Sequence, residues 1–505
     1  MCISYNKQGL LLTGNFLNLI QQNLLTIKIL LMRTRLIYFI GAILLFVFSA
    51  TLLNCSSEVN DPPKDTLNVK IWMTDPSANI FFTEQRSITD TGRVSGETIV
   101  VNPDQTYQVM DGFGYALTGG SALHLFNMSS AARKQILTEL FETTDKNIGA
   151  SYLRVSIGAS DLDTKVFSYN DLPSGQTDPD LLQFTLAEDK KHLIPVLKEI
   201  LAINPNIKIM GSPWSAPVWM KTNKSSIGGS LLAQYYNSYA NYFVKYIQGM
   251  EDEGITIDAI TVQNEPLHAG NNPSMLMPAA DQTAFIKGSL GPAFRNAGIN
   301  TKIIIYDHNA DRIDYPLSIL SDPEARNYID GSAFHLYGGQ ISSLSQVHNA
   351  HPDKNLYFTE QWTGVHGIFA DELKWNIREL TIGASRNWCK TVLEWNLAAD
   401  QNQEPHTPGG CTECLGAITI QGDQVTRNVA YYITAHASKF VRPGSKRIES
   451  NYSSDLPNVA FSTPSGNVVV IVLNNSASFK TFNIKIGNVI VKTYLSAGAV
   501  GTYIW

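Results

Sequence analysis

The sequence is poor in charge and has no excess of basic residues. Charged residues make up 16% of the 505 positions and hydrophobic residues 44%, a balance that supports one large domain with a smaller companion. The formal net charge is −6, and setting aside positions 1–54, which hold four basic residues and no acid, lowers it to −10. Binding to nucleic acid requires basic surface against phosphate, so this composition argues against that class.

Cysteine is also scarce, with 5 residues in the chain. Cys411 and Cys414 form a C-x-x-C motif, but a zinc site needs a second pair of ligands that the motif lacks. In an exported protein such a pair favours a local disulfide, with zinc as the weaker alternative. We therefore expect no metal.

The N-terminal region has the pattern of an export signal. Basic residues at 32–35 precede an apolar run at 36–53, and Leu52-Leu53-Asn54-Cys55 follows it. This pattern resembles a bacterial lipoprotein signal with Cys55 as the lipidated residue. A transmembrane anchor and a cleaved signal peptide are the alternatives, and translation starts at Met1 or Met32. We expect a leader at 1–54, a tether at 55–65, and a lipoprotein of the bacterial cell envelope.

From Met110 onward, short apolar runs alternate with amphipathic segments. Eight runs predict buried parallel strands, at 112–117, 151–157, 207–211, 257–262, 302–306, 331–335, 357–360 and 391–395. Helical patterns lie between them, most clearly at 131–141, 192–203, 231–250, 282–296 and 371–385, and a closing helix at 426–440. Alternating units of this kind predict an α/β fold, a (β/α)₈ TIM barrel, at 108–440.

Both ends of the mature chain have strand patterns without helices. Residues 66–82 and 97–101 come before the barrel, and 459–462, 468–473, 481–486, 489–495 and 502–505 come after it. We expect strands at 66–107 and 441–505 to form one β-sandwich packed on the barrel.

Two glutamates stand where barrel strands end. Glu265 follows the fourth run and precedes Pro266, which cannot continue a strand, and Glu360 closes the seventh run. Carboxyl ends of barrel strands meet at the mouth, where TIM-barrel enzymes have their active sites. Retaining glycosidases need two carboxyl groups about 5–5.5 Å apart. Together the pair predicts such an enzyme, whereas each Glu taken alone is better explained as part of a structural ion pair or as a helix N-cap partner. Asn264 can donate a hydrogen bond to the sugar 2-hydroxyl.

Several motifs resemble one family, glycoside hydrolase family 30, which includes glucosylceramidases and bacterial β-1,6-glucanases. The matching segments occur in the family's order: Asp111-Gly112-Phe113-Gly114, Leu153-Arg154, Ser212-Pro213-Trp214-Ser215-Ala216-Pro217, Asn264-Glu265-Pro266, His335-Leu336-Tyr337, Glu360, Glu394-Trp395-Asn396 and Lys439-Phe440-Val441. The resemblance implies that Glu265 is the acid/base and Glu360 the nucleophile, and that no cofactor is needed.

The resemblance also implies roles for residues around this pair. Trp214 and Trp395 would form the walls of the −1 sugar subsite, with His335 and Tyr337 near the nucleophile. Bracing of a loop is the alternative for Trp214, and a buried structural histidine for His335. Arg154 and Tyr337 can hold Glu360 ionised, although Arg154 also fits a barrel-interior ion pair. Trp362 is a candidate platform for a further sugar, and the alternative is that it only packs within its loop.

One departure from the family bears on the substrate. Lysosomal-type glucosylceramidases place an Asp after the residue equivalent to Thr118, where this chain has Gly119-Gly120. Loss of this Asp carboxylate, which binds a chain-ending glucose, favours an endo-β-1,6-glucanase, unless Glu394 supplies a replacement carboxylate. Exo-β-glucosidase or glucosylceramidase activity is the alternative, and β-xylanase activity ranks third. A non-catalytic glycan-binding lipoprotein is the rival from another class. We expect a monomer that binds β-glucan or a β-glucoside and meets the membrane only through its lipid anchor.

Overall fold

The computed structural model describes residues 67–505. The predicted leader at 1–54 and tether at 55–65 lie outside the described residues. In the described part of the chain, no helix combines the length and the apolar character needed to cross a bilayer.

Eight parallel strands close into a barrel and follow one another around it in chain order. Each overlaps one predicted run, so the predicted TIM barrel is confirmed. The strands are Gly112–Ala116, Tyr152–Ser156, Lys208–Ser212, Ala259–Thr261, Lys302–Asn309, Ile329–His335, Asn355–Glu360 and Cys389–Asn396.

The barrel interior is filled by side chains of unequal size. The first strand contributes Gly114, where a Cβ atom would lie 1.9 Å from the carbonyl oxygen of Tyr152, so this position accepts only glycine. The other seven strands each provide one residue of a buried interior cluster: Tyr152, Met210, Ala259, Ile304, Ala333, Tyr357 and Leu393. Because the interior is filled, a ligand can reach the barrel only at its mouth, above these side chains.

Helices pack around the barrel with apolar faces inward. The predicted helices at 282–296 and 371–385 each contain a π-helical stretch, Ile286–Leu290 and Ile377–Ala384. Pro292 has no N–H to donate into the turn before it, which fits the wider turn in the first of these. The α-helices are Gly119–Asn127, Ser130–Phe141, Leu193–Ile203, Tyr236–Asp252, Ala279–Phe285, Gly291–Asn296, Asp314–Ser321, Pro323–Arg326, Leu344–Ala350, Phe369–Asn376 and Val429–Ser438.

Strands from both ends of the described chain join in one nine-stranded sheet, as predicted for the β-sandwich. Strand Thr98–Val109 pairs with one C-terminal strand on each side, so neither end of the chain completes the sheet alone. In order across the sheet the strands are Ile80–Ile88, Val69–Asp75, Val500–Ile504, Val468–Leu473, Asn458–Ser462, Lys446–Ser450, Thr98–Val109, Lys480–Ile486 and Val489–Leu495.

The first predicted strand, 66–82, is two strands in the structure. A turn at Pro76–Ala78 separates them, and Asn79 closes that turn with a φ of 53°. Proline cannot donate to a ladder and Asn tolerates the left-handed conformation, so this pair of residues reverses the chain.

His436 links the closing helix to the sheet. Its Nδ1 lies 2.9 Å from the Thr502 hydroxyl and its Nε2 lies 2.8 Å from the Thr74 hydroxyl, on two neighbouring strands. Burial lowers the pKa of His436 to about 3, so the ring is neutral and serves as a structural bridge.

Candidate active site

Glu265 and Glu360 face one another at the barrel mouth. Glu360 ends the strand Asn355–Glu360, and Glu265 lies four residues beyond the strand Ala259–Thr261. One oxygen of each carboxyl and Nδ1 of His335 lie within 4.8 Å of one another. This spacing is near the about 5–5.5 Å of retaining glycosidases and below the roughly 6.5–9.5 Å of inverting ones.

Arg154 joins the groups at the base of the site. It is fully buried. Its Nη1 donates to Glu360 Oε2 at 2.5 Å, and its Nη2 donates to Asn264 Oδ1 at 2.7 Å and to Asp307 Oδ2 at 2.8 Å. Because Asn264 uses its carbonyl oxygen on Arg154, its NH₂ group is left to donate. The guanidinium therefore orients the amide and the nucleophile candidate together.

His335 connects the acid/base candidate to Asp307. Its Nδ1 lies 3.3 Å from Glu265 Oε1, and its Nε2 lies 3.1 Å from Asp307 Oδ1. Asp307 is itself fully buried, and the charge of Arg154 and the hydrogen bond from His335 outweigh its burial and keep its pKa well below the usual range. It therefore stays ionised and holds the His335 ring in place.

The ionisable groups of the site shift one another's pKa values. Burial alone would lower the pKa of His335, but Glu360, Asp307 and Glu265 outweigh it and raise the pKa to about 9. Burial raises the pKa of Glu265, but the hydrogen bond and charge of His335 hold it below the usual range. Burial raises the pKa of Glu360 by more than His335 and Arg154 lower it. These opposite shifts favour a protonated His335 beside an ionised Glu265.

Three non-glycine residues beside the site have a left-handed backbone. Glu265, Tyr306 and Asp307 have φ values of 44°, 72° and 73°, a conformation that costs on the order of 1–3 kcal/mol per residue. The Glu265 N–H donates to the Asp307 carbonyl at 3.0 Å, and the Tyr306 N–H donates to Gln282 Oε1 at 3.1 Å. These hydrogen bonds lock a conformation that aims the Glu265 and Asp307 side chains into the mouth.

Aromatic side chains form the walls of the site. The rings of Trp214 and Trp395 lie 5.5 Å apart, and the Arg154 guanidinium lies 4.8 Å from the Trp214 ring centre. Trp362 packs against this pair. The Tyr337 hydroxyl donates to Glu360 Oε1 at 3.1 Å. All the residues predicted for the site are thus brought to the barrel mouth.

The cavity between these walls has a volume of about 370 Å³, which suits one or two sugar rings. Cys411 and Cys414 form the predicted disulfide and lie on its rim. The lining residues that sequence analysis did not single out for the site are Asp161, His268, Asn271, His308 and Asn309.

Glu265, His335 and Glu360 are also the group of potential metal ligands found among residues 67–505. Two of them already have strong partners, since Glu360 accepts from Arg154 and the second nitrogen of His335 contacts Asp307. The arrangement fits proton transfer between Glu265 and His335, which lie 3.3 Å apart.

Comparison with known proteins identifies the family. The model of the glycosyl hydrolase family 30 TIM-barrel domain matches residues 110–441, and that of the family 30 β-sandwich domain matches residues 444–503. The chain belongs to glycoside hydrolase family 30. It is therefore a glycosidase.

Proteins with two different activities resemble this family 30 member. It is 36% identical over 398 residues to an endo-1,6-beta-D-glucanase of Neurospora crassa, covering 75% of this chain and 81% of the relative. It is 29% identical over 439 residues to the lysosomal acid glucosylceramidase of Mus musculus, covering 81% of this chain and 84% of the relative. A solved endo-β-1,6-glucanase structure has a TM-score of 0.81 at 36% identity, covering 87% of this chain and 99% of that one.

The family 30 chain has no room for a side chain at Gly119. A Cβ atom there would lie 1.7 Å from Asp163 Oδ1, and Asp163 Oδ2 accepts hydrogen bonds from the Ser160 N–H at 2.8 Å and hydroxyl at 3.0 Å. Asp163 is not part of the catalytic cavity lining. The loop that carries Asp163 therefore packs against Gly119, the position at which glucosylceramidases have an Asp.

Glu394 does not replace that carboxylate, contrary to the possibility drawn from the sequence. Side chains alternate along a strand, so Leu393 and Trp395 face the barrel interior while Glu394 faces the surrounding helices. Its two oxygens are buried without a hydrogen-bond partner in the described residues, and burial raises its pKa well above the usual range. Asp161 instead brings a carboxyl to the cavity, where burial and the charge of Glu360 raise its pKa to about 7.

Proposed function

We propose that this chain is a retaining β-glycoside hydrolase acting on β-linked glucose, and specifically an endo-β-1,6-glucanase. The observation that carries the proposal is the separation of the Glu265 and Glu360 carboxyls, within 4.8 Å, in a tryptophan-walled cavity at the mouth of the barrel. Two carboxyls at this separation permit double displacement.

In the first step, a carboxylate oxygen of Glu360 attacks the anomeric carbon while Glu265 gives its proton to the departing glycosidic oxygen. The product is a glycosyl ester on Glu360 and a released sugar hydroxyl. In the second step, Glu265 takes a proton from water, whose oxygen displaces Glu360 from the anomeric carbon. Arg154 and Tyr337 stabilise Glu360 as the departing carboxylate, because both already donate to it.

His335 supplies the proton that Glu265 needs before the first step. Transfer of the His335 Nδ1 proton over 3.3 Å leaves a neutral imidazole and a protonated Glu265, with no change in total charge. Asp307 then accepts the remaining N–H of the ring, at 3.1 Å from Nε2. A sugar ring that displaces water from the cavity favours this transfer. The transfer replaces charged His335 and charged Glu265 by their neutral forms, and charged groups are less stable in a drier site.

The substrate assignment is supported by the relatives and by the packing at Gly119. The Neurospora crassa relative is named an endo-1,6-beta-D-glucanase. A side chain at Gly119 would collide with Asp163, so this chain has no carboxylate there to close the cavity behind a terminal glucose. Exo-acting β-glucosidase or glucosylceramidase activity is the second candidate, favoured by the likeness to the mouse glucosylceramidase.

The test is product analysis on β-1,6-glucan, β-1,3-glucan, β-xylan and an aryl β-glucoside, with NMR of the first product. We expect β-1,6-linked oligosaccharides whose new reducing end first appears as the β anomer. An initial α anomer would overturn retention, and cleavage of the aryl glucoside alone would shift the assignment to the exo-acting alternative.

Two variants separate an enzyme from a non-catalytic glycan-binding protein. Glu265→Gln and Glu360→Gln keep the shape of the site and remove the acid or the nucleophile, so turnover should fall at least a hundredfold while oligosaccharide binding persists. Glu324→Gln, at an exposed position far from the cavity, is the matched control. Unchanged turnover in both site variants would refute the mechanism.

We also propose that the protein is exported and anchored to the cell envelope through Cys55. The basic residues, apolar run and cysteine at 32–55 support this. Labelling with a fatty-acid analogue in the native host should mark the wild type and not Cys55→Ala, which should appear in the soluble fraction. Equal labelling of the two would refute the anchor.

A further inference from the structure

A second groove opens beside the catalytic cavity and shares Trp362 with it. Its volume is about 460 Å³. It lies along the loop that follows Glu360 and the helix Phe369–Asn376. Its principal lining residues are Gln361, Trp362, His366, Asp371, Trp375 and Glu413.

The lining of this groove suits a neutral polyol. Trp362 and Trp375 are both half-buried, so each leaves part of its indole open for the C–H face of a sugar ring. Gln361 is 7% exposed, and its side-chain Oε1 has no hydrogen-bond partner among the described residues. Asp371, Glu372 and Glu413 add acceptors for hydroxyl groups, and no lysine or arginine of the described chain lines the groove.

The wall of the groove is fastened to the catalytic site. Thr363–Gly364 pairs with Cys414–Leu415, and the Val365 N–H donates to the Glu413 carbonyl at 3.0 Å. The disulfide Cys411–Cys414 closes the same loop. Since Gln361 and Trp362 follow Glu360 directly in the chain, the groove is held at a set position relative to the nucleophile candidate.

We propose that this groove, lined by Trp362, Trp375 and Gln361, is an outer subsite that binds a further glucosyl residue of the β-glucan chain cleaved at Glu360. The inference rests on the function proposed above and adds the place where that chain continues. Trp362 then contacts sugar on both sides, in the catalytic cavity and in the groove. Such a subsite favours long chains over substrates with a single sugar, because only long chains reach it.

The test compares Trp375→Ala with wild type on a β-1,6-linked hexasaccharide and on an aryl β-glucoside. We expect kcat/KM for the hexasaccharide to fall about tenfold, the loss of one aromatic contact, while the aryl glucoside changes less than twofold. In a Glu360→Gln background, Trp375→Ala should weaken hexasaccharide binding by the same factor, measured by calorimetry. Tyr494→Ala, which removes an exposed aromatic ring from the sandwich, is the matched control and should change neither value.

The outcomes distinguish this inference from the proposed function. Wild-type protein inactive on β-1,6-linked substrates would overturn the function. An active wild type whose Trp375→Ala variant keeps hexasaccharide kcat/KM and affinity would overturn the groove alone. Because Trp375 also packs on the core, Asp371→Ala at an exposed position is the second variant. It should weaken hexasaccharide binding in the same sense, and unchanged binding in a folded Asp371→Ala protein counts against the subsite.

Discussion

Replacing Arg154 by Met removes the cation on which two buried carboxylates depend. Arg154 and Asp307 are fully buried, and Arg154 reaches Asp307 at 2.8 Å and Glu360 at 2.5 Å. Breaking a buried ion pair by deleting one partner costs about 3–5 kcal/mol, because the other charge stays buried without compensation. We expect a loss of stability of this size in Arg154→Met at neutral pH. The loss should shrink as the pH falls, because a protonated Asp307 no longer needs the cation.

The same substitution should move the acid side of the pH–activity profile. Burial raises the pKa of Glu360 and the charge of Arg154 opposes that rise, so removal of Arg154 raises the pKa further. Glu360 must be ionised to attack, and activity in the variant is therefore lost at higher pH than in the wild type. Arg154→Lys keeps the charge but loses the planar fork, and should show a smaller effect in both measurements.

Urea unfolding followed by tryptophan fluorescence, and kcat/KM against pH on β-1,6-glucan, measure the two effects. Arg312→Met is the matched control, since its ion pair with Asp314 is exposed and should contribute about 0–1 kcal/mol. A stability loss in Arg154→Met no larger than in this control would refute the buried-pair reasoning. An unmoved acid limb would refute the coupling of Arg154 to the nucleophile.

Two further predictions concern His335 and the disulfide. The basic limb of the kcat/KM profile should lie above neutral pH, toward the His335 pKa of about 9, because His335 and Glu265 share one proton. His335→Asn removes the group that holds this proton and should move the basic limb to lower pH. A basic limb that does not shift contradicts this role. Reduction of Cys411–Cys414, or Cys414→Ser, should raise KM more than it lowers kcat, because the Cys411 N–H donates to Asp161 on the cavity rim; steady-state kinetics that show a loss in kcat alone contradict this.

Asp307 shows what local sequence could and could not reveal. It directly follows a predicted strand, 302–306, in the same position that drew attention to Glu265, so the strand-end rule could have found it. Its function as the shared partner of Arg154 and His335 depends on three strands meeting, which no local pattern encodes. Asp161 lies in a loop beyond the second strand, and no motif or strand-end position in the sequence pointed to it.

The sequence by itself determined the barrel, the shared sheet and the two glutamates, because strand periodicity and strand-end chemistry are local properties of the chain. The aromatic residues around the glutamates were expected from the resemblance to the family. Only the tertiary structure decided the side on which Glu394 faces, the close approach of Asp163 to Gly119, the contact between His335 and Glu265, and the groove behind Trp362. These features depend on distances between segments far apart in the chain, and such distances exist only once the barrel has closed.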